Sequence, residues 1–470
     1  MTIKFTFFIG IDLAMHIHIL GICGTFMGSL ALIAKEQGHQ VSGCDANVYP
    51  PMSLQLEMQG ISLVEGFDVK QLDPCPDLIV IGNAMVRGNP CVEYVLNNKI
   101  PYVSGPQWLG DNILQHKHVF SVSGTHGKTT TSSMLAKILD SSGLNPGFLI
   151  GGIPQDFGKS ARLTDTDYFV IEADEYDTAF FDKRSKFIHY SSNTLIINNL
   201  EFDHADIFDD ISAIQKQFHH LVRTIPSDGN IILPKDCEAI EAFMDQGCWS
   251  NKHYFGEGTD GLWRYQLIET DGSKFKIIYD GSNQTEEATV EWRHSGLHNV
   301  TNAIAATMAA HTIGISVNQA CAALSDFIGV KRRMEVIYSD CNVTVYDDFA
   351  HHPTAIKTTL EGLRAKVGSE FILAIIEPRS ATMRMGVHGH NLASSVLSAD
   401  QVMWYQNSAV NWDMADLSQD ASLPCSVVND LENLIEMTRS SIQENTHIVI
   451  MSNGGFEGFH RKLLKSFHHN

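Results

Sequence analysis

Ser-Val-Ser-Gly-Thr-His-Gly-Lys-Thr-Thr-Thr, residues 121–131, decides the fold class. The apolar pair Val119-Phe120 leads into it, and a helical pattern from Ser132 to Leu139 follows. Apolar run, glycine turn and helix together read as a strand feeding a phosphate-binding loop. Gly124 and Gly127 let the backbone turn tightly, so that its N–H groups point at an anion. The helix that opens at Thr129 adds its positive end. Lys128 reaches the outer phosphates of a nucleotide, and Thr129 offers a hydroxyl to Mg²⁺. The spacing is Gly-x-x-Gly-Lys-Thr, with Val122 where the longer consensus has glycine. The bland alternative is a glycine turn before a helix. It accounts less well for the strand context and the three consecutive threonines.

Working outward, 470 residues suggest about three domains. A net charge of −21 argues against nucleic acid or an anionic membrane face as a partner. The nine cysteines are scattered without a C-x-x-C pair, which disfavours a zinc ribbon or a disulfide framework and points to the reducing cytoplasm. No apolar run reaches the roughly 18 residues of a spanning helix. Residues 1–14 read as an extension, with Met15 a plausible start.

Upstream, His16–Leu20, the turn Gly21–Gly28, a helix and Gln40–Asp45 form a β-α-β unit. Cys23 and Phe26 stand where an NAD site needs small residues, so another nucleotide or a sugar nucleotide fits better. Gly21, Gly24, Thr25 and Asp45 are the candidate contacts. A further strand, Leu78–Ile81, opens into Asn83, Arg87 and Asn89. Loops at the carboxyl ends of parallel strands bind ligands. Each of these polar residues could equally serve as a turn residue or helix cap.

Downstream, Tyr168–Ile171 runs into Glu172, Asp174 and Glu175, the oxygen-rich mouth that a Mg²⁺–nucleotide site needs, with Glu172 ranked first. Leu195–Leu200 runs into Asp203 and His204, where His204 suits a metal. His298 and Asn302 share a helix face. An Asn amide there can read an adenine edge, although capping by Asn299 explains the same pattern. A boundary falls near Lys331, followed by strands ending at Asp348, His351 and His352, and at Glu377 and Arg379. An arginine at a strand mouth can grip a carboxylate bidentately, or pair with a neighbouring acid.

Six ordered segments carry a resemblance: Gly124–Thr130, Glu172–Glu175, Asp203-His204, His298–Asn302, Arg333–Glu335 and Asp348–Pro353. Together they resemble the Mur ligases, which make amide bonds in peptidoglycan synthesis at the expense of ATP. The resemblance implies an α/β fold of three domains, each on a largely parallel sheet. These would be a Rossmann-like UDP-sugar domain at 1–117, a P-loop ATP domain at 118–330 and a Rossmann-like ligase domain at 331–470. It assigns ATP to Gly124, Thr125, His126, Gly127, Lys128, Thr129, Thr130, His298, Asn302, Arg333 and Asp348. It assigns Mg²⁺ to Thr129, Glu172 and His204, with catalysis resting on Lys128, Glu172, His204, Arg333 and Asp348. UDP-sugar contacts fall to Gly21, Gly24, Thr25, Asp45, Asn83, Arg87 and Asn89, and peptide contacts to His351, His352, Arg379 and Arg384.

Residues 18–28, 82–90 and 377–388 resemble the branch that joins UDP-N-acetylmuramate to the tripeptide L-alanyl-γ-D-glutamyl-meso-diaminopimelate in cell-wall recycling. L-alanine as the amine is the alternative. The implied chemistry is phosphorylation of a carboxylate by ATP, followed by attack of the amine on the acyl phosphate. Rivals from other classes are an NAD-dependent oxidoreductase, disfavoured by Cys23 and Phe26, and a nucleotide-binding regulator without turnover.

Overall fold

Three sheets carry the chain in a computed structural model that describes residues 14–48, 52–258, 261–282, 284–414, 417 and 423–467. The extension expected at residues 1–14 lies outside the described residues except for Ala14. The first sheet contains β1 (His16–Leu20), β2 (Gln40–Asp45) and β3 (Leu78–Ile81), with α1 (Thr25–Glu36) crossing between β1 and β2. Its five strands are all parallel, in the order Ser62–Glu65, β2, β1, β3, Tyr102–Ser104. Helices cover such a sheet on both faces, so β1 and β3 can be apolar throughout. Ile17, Ile19, Ile79 and Ile81 are fully or almost fully buried.

The central sheet has ten strands. At its middle lie β4 (His118–Ser123), β5 (Tyr168–Glu172) and β6 (Thr194–Ile197), parallel and in the order β5-β4-β6. From Trp263–Leu267 through to Gly147–Leu149 every pairing is parallel, and antiparallel strands close both edges. On one face α2 (Lys128–Ser141), through Met134 and Ile138, and α3 (Leu297–His311) share a core with Phe120 and Val122 of β4. Ala303, Ala306 and Ala310 bring α3 close to that face. The other face carries Phe187, Phe218 and Phe243, in one continuous core with Leu30, Trp108 and Leu109 of the first domain. Ser29 Oγ meets Ser160 Oγ at 2.8 Å, and Glu36 accepts the Leu163 N–H at 2.6 Å across the same junction.

The third sheet holds β7 (Val343–Asp348), β8 (Phe371–Ile376) and β9 (Thr446–Met451), with α4 (Pro353–Val367) following β7. Its six strands run Glu335–Ser339, β7, β9, β8, Gln401–Tyr405, Cys425–Val428, and only the first pairing is antiparallel. All three domains are thus α/β with largely parallel sheets, as the sequence implied. The carboxyl ends of all three sheets open on one space. Among the described residues, no helix is long and apolar enough to cross a membrane.

Candidate active site

A cavity of about 920 Å³ lies where the three sheets' carboxyl ends meet. Gly21, Asp45 and Asn83 line it from the first domain, Lys128, Glu172 and Asn198 from the second, and Asp348 and Asn453 from the third.

The phosphate loop links β4 to α2. Gly127 caps α2 in the left-handed region, φ 80°, which a side chain would strain. A Cβ there would also stand 2.5 Å from Asn302 Oδ1. The loop is clamped from β6. Asn199 accepts from His126 N at 2.7 Å, and Asn198 Nδ2 donates to Thr131 Oγ1 at 2.9 Å and to Asn302 Oδ1 at 3.3 Å. Asn302 therefore packs against the loop itself, and its amide oxygen is engaged there.

Lys128 Nζ donates to Gly124 O at 2.8 Å and to Glu175 Oε2 at 3.0 Å, with Asp174 at 3.4 Å. Burial pushes the ammonium toward neutrality, but the three carboxylates Glu175, Asp174 and Glu172 outweigh it and hold the charge on. Burial likewise raises Glu175, and Lys128 and His204 reverse that, leaving it well below the usual carboxylate range. His204 completes the chain, its Nε2 3.1 Å from Glu175. It sits at φ 57°, a left-handed conformation that a non-glycine residue keeps only where its surroundings fix it. Asp203 accepts its N–H at 2.7 Å.

Thr129 Oγ1 donates to Glu172 Oε1 at 3.0 Å, while Glu172 Oε2 accepts from Gly151 N at 2.7 Å. Burial dominates Glu172 and raises its pKa despite Lys128. A hydroxyl and an under-compensated carboxylate side by side are hard oxygen donors of the kind Mg²⁺ takes. From the third domain, Arg333 Nη2 reaches Thr129 Oγ1 at 3.2 Å, and its guanidinium lies 4.8 Å from the Phe349 ring centroid. Arg332 and Met334, at φ 60° and 49°, set the backbone turn that presents it. Asp348 is fixed by the N–H groups of Met334 and Ala350, both at 2.8 Å. His298 and His351 line the same cavity, and desolvation lowers both rings to about 4, so both are neutral. His298 Nδ1 is buried without a partner among the described residues, a group that a ligand would satisfy.

Gly24, Thr25, Thr125, His126 and Thr130 also line the cavity, whereas Gly124 lies behind it under Asn199 O. Five further candidates, Arg87, Asn89, His352, Arg379 and Arg384, lie outside that lining. Asp45 does line it, but one carboxylate oxygen accepts the Cys23 N–H at 2.9 Å. Asn89 caps the helix Pro90–Asn97 through Cys91 N and Val92 N. Exposed Arg87 pairs with Glu93 at 2.9 Å. His352 caps α4 and faces a second cavity. Arg379 lies against Gly454, and neither it nor Arg384 lines the main cavity. Sequence reasoning missed Lys186, which is buried in the cavity wall 5.4 Å from the Phe26 and Tyr176 ring centroids. It also missed Arg293 and Lys366, and Asn198 and Asn199, although the last two stand at a strand mouth like those it did single out.

Known proteins share this plan. Models of the Mur ligase middle domain, the Mur ligase family catalytic domain and the Mur ligase glutamate ligase domain match residues 122–310, 16–117 and 332–454. The chain belongs to the Mur ligase family, whose members are ATP-dependent acid–amino-acid ligases. It is 52% identical over 96% of its length, and 98% of the relative's, to the UDP-N-acetylmuramate–L-alanyl-γ-D-glutamyl-meso-2,6-diaminoheptandioate ligase of Haemophilus influenzae. A solved murein peptide ligase from Psychrobacter arcticus is 48% identical, with a TM-score of 0.76 over 97% of this chain and 99% of that one. The UDP-N-acetylmuramate–L-alanine ligase of Dictyoglomus turgidum is more distant, 32% identical over 75% of this chain and 73% of its own.

Proposed function

We propose that this chain joins the lactyl carboxylate of UDP-N-acetylmuramate to the α-amine of L-alanyl-γ-D-glutamyl-meso-diaminopimelate, with ATP giving ADP and phosphate. The observation that carries the chemistry is the single cavity running from the first domain's strand mouths to the phosphate loop. A donor carboxylate held by one domain thereby reaches a phosphate held by another. The choice of amine rests on the 52% identity to the tripeptide ligase against 32% to the L-alanine ligase.

A carboxylate oxygen attacks the γ-phosphorus, and the bond to the ADP oxygen breaks. Lys128 carries its fixed positive charge to the transferring group, and Arg333 adds a second from the opposite domain. Thr129 and Glu172 would hold Mg²⁺, with His204 oriented by Glu175 beside them. Bound Mg²⁺ supplies charge neutralisation to the phosphates. The amine then attacks the acyl carbon, phosphate leaves, and the nitrogen loses a proton. His351 suits that proton better than His352, because it lines the cavity. Its Nδ1 hydrogen-bonds to Phe349 O at 2.9 Å, which leaves Nε2 as the basic atom. Closure of the third domain keeps water from the acyl phosphate. Nine cysteines without a disulfide fit the cytoplasm, where ATP is supplied.

ADP release measured side by side with UDP-N-acetylmuramate and either tripeptide or free L-alanine tests this reading. The tripeptide is expected to give the higher kcat/KM by at least about tenfold, a difference of some 1.4 kcal/mol. Equal values, or a preference for L-alanine, would sink it.

A further inference from the structure

His126, at the turn of the phosphate loop, meets two groups from other parts of the chain. Its Nε2 lies 3.1 Å from Glu201 Oε2, in the segment after β6. The same oxygen lies 3.4 Å from Nδ1 of His352, at the start of α4 in the third domain. One donor atom of each residue falls within 4.8 Å of the other two. Glu201 and His352 border a second cavity of about 380 Å³, together with Thr354 and His388, while His126 lines the main one.

Glu201 Oε2 is hydrogen-bonded to His126, but its contact with His352 has no hydrogen between the two atoms. His352 Nε2 lies 3.3 Å from Phe202 O, a carbonyl that can only accept, so Nε2 carries the hydrogen and Nδ1 the lone pair. That lone pair faces a carboxylate oxygen, two electron-rich atoms turned toward each other. The Thr354 N–H also donates to Nδ1 at 3.3 Å, the cap of α4, and an ion bound there would take over that lone pair. Glu201 Oε2 also accepts from Thr354 Oγ1 at 2.7 Å, which holds the carboxylate in place from outside. A carbonyl on the far nitrogen of an imidazole and a hydroxyl on a carboxylate are the outer contacts that orient metal ligands. Next to His352, with ring centroids 4.6 Å apart, stands His388, whose Nε2 is buried and has no partner among the described residues.

We infer that His126, Glu201 and His352 form a transition-metal site of the Zn²⁺ class, with His388 or a water from the second cavity as fourth ligand. Two imidazoles and a carboxylate suit Zn²⁺ or Co²⁺ and are a poor set for Mg²⁺, which prefers oxygen throughout. Bonds of about 2.0–2.1 Å in a tetrahedron set donors about 3.3–3.5 Å apart. The 3.4 Å spacing already meets that, the 3.1 Å spacing is slightly short of it, and the third, within 4.8 Å, closes with a side-chain movement of about 1–1.5 Å. The donors come from the phosphate loop, the mouth of β6 and the third domain, so the ion ties the nucleotide-binding loop to the domain that closes over it. The site is separate from Thr129 and Glu172 and does not depend on which amine the protein uses.

The test is Co²⁺ titration of chelator-treated full-length protein with excess Mg²⁺ present, followed by visible absorption and by equilibrium dialysis. The expected result is one Co²⁺ per chain, with the intense bands of a tetrahedral ion, displaced by Zn²⁺. His352→Gln and Glu201→Gln should each weaken it by about 100-fold or more. Glu172→Gln, in the oxygen site, should leave it intact. Zn²⁺ should raise the thermal midpoint of the unaltered protein and not of His126→Gln. Circular dichroism establishes that each variant is folded. Weak, octahedral-type Co²⁺ binding, or stoichiometric binding unchanged in folded His352→Gln and Glu201→Gln, would overturn the proposal. So would loss of binding only in Glu172→Gln.

Discussion

Lys128 is the residue on which the proposed phosphate chemistry turns, and its surroundings say how it would be kept ready. Glu175 and Asp174 hold the ammonium before nucleotide arrives, and His204 shares Glu175 from the other side. Phosphate oxygens entering the loop compete for a charge that is already in position. Lys128→Ala is expected to slow ADP release about 10²–10³-fold, the usual loss for a group that stabilises charge in the transition state. It also strips buried Glu175 of its closest cation and leaves it His204 alone, costing stability by at most about 3–5 kcal/mol. Turnover and urea midpoint, measured on the same preparation, check both, and near-normal turnover would refute the role. The neutral histidines give a second prediction at this scale. Desolvation lowers His298 to about 4, against 6.5 for an exposed ring. Between those values the unfolded chain takes up a proton that the folded chain refuses, so stability falls as pH is lowered from 6.5 to 4. The slope per ring approaches about 1.4 kcal/mol per pH unit. His298→Gln is expected to flatten the fall of the thermal midpoint across that window. An identical slope in the variant would show that the ring is not held neutral.

The phosphate loop is the element whose local chemistry and tertiary setting agree most closely. Its glycines, lysine and threonine announce it in sequence, because a tight turn into a helix needs those residue types wherever it occurs. The sequence does not announce what clamps it. Asn198 and Asn199 lie 67 and 73 residues along the chain from the loop groups they bind and arrive through the parallel pairing of β6 with β4, while Asn302 arrives on α3. Gly127→Ala probes this element. A methyl there meets Asn302 Oδ1 and Asn198 Nδ2 and must also adopt a left-handed backbone, which costs roughly 1–2 kcal/mol by itself. ATP affinity measured by calorimetry is expected to fall at least about tenfold, with a lowered thermal midpoint. Unchanged affinity would mean that the loop tolerates another path. Strand mouths were a sound guide elsewhere, since Asp45, Glu172, His204, Asp348 and His351 all border the cavity. At Asn89 a helix-capping signal, Asn before Pro90, was present and competes with the ligand reading. Lys186 carried no signal, because its placement depends on the packing of its segment against Phe26 of another domain.

At the scale of the whole molecule, three sheets bring their carboxyl ends to one cavity, and the third is held there by few contacts. The α/β class and the parallel sheets follow from apolar runs separated by helical patterns. The way the sheets face one another depends on contacts between residues far apart in the chain. Thr382 makes two of these: its Oγ1 donates to Asp203 Oδ1 at 2.8 Å and accepts the Ala205 N–H at 3.2 Å. Both partners flank His204, so the same threonine that seats the third domain also steadies the histidine proposed to lie beside Mg²⁺. Thr382→Val keeps the volume and removes both bonds, leaving the Ala205 N–H unsatisfied, at about 1–3 kcal/mol, and Asp203 Oδ1 with the His204 N–H alone. That cost falls on the closed arrangement and spares the open one, where water reaches both groups. The domain equilibrium is therefore expected to shift toward open. Small-angle scattering with ATP analogue and UDP-N-acetylmuramate present should give a larger radius of gyration for the variant than for the unaltered chain. Binding of ATP, whose loop lies wholly in the central domain, should change less than threefold, while kcat falls about 5- to 30-fold. A variant that closes as fully as the unaltered chain and keeps its kcat would show that Arg333, reaching Thr129 from the third domain, is sufficient to hold the molecule shut.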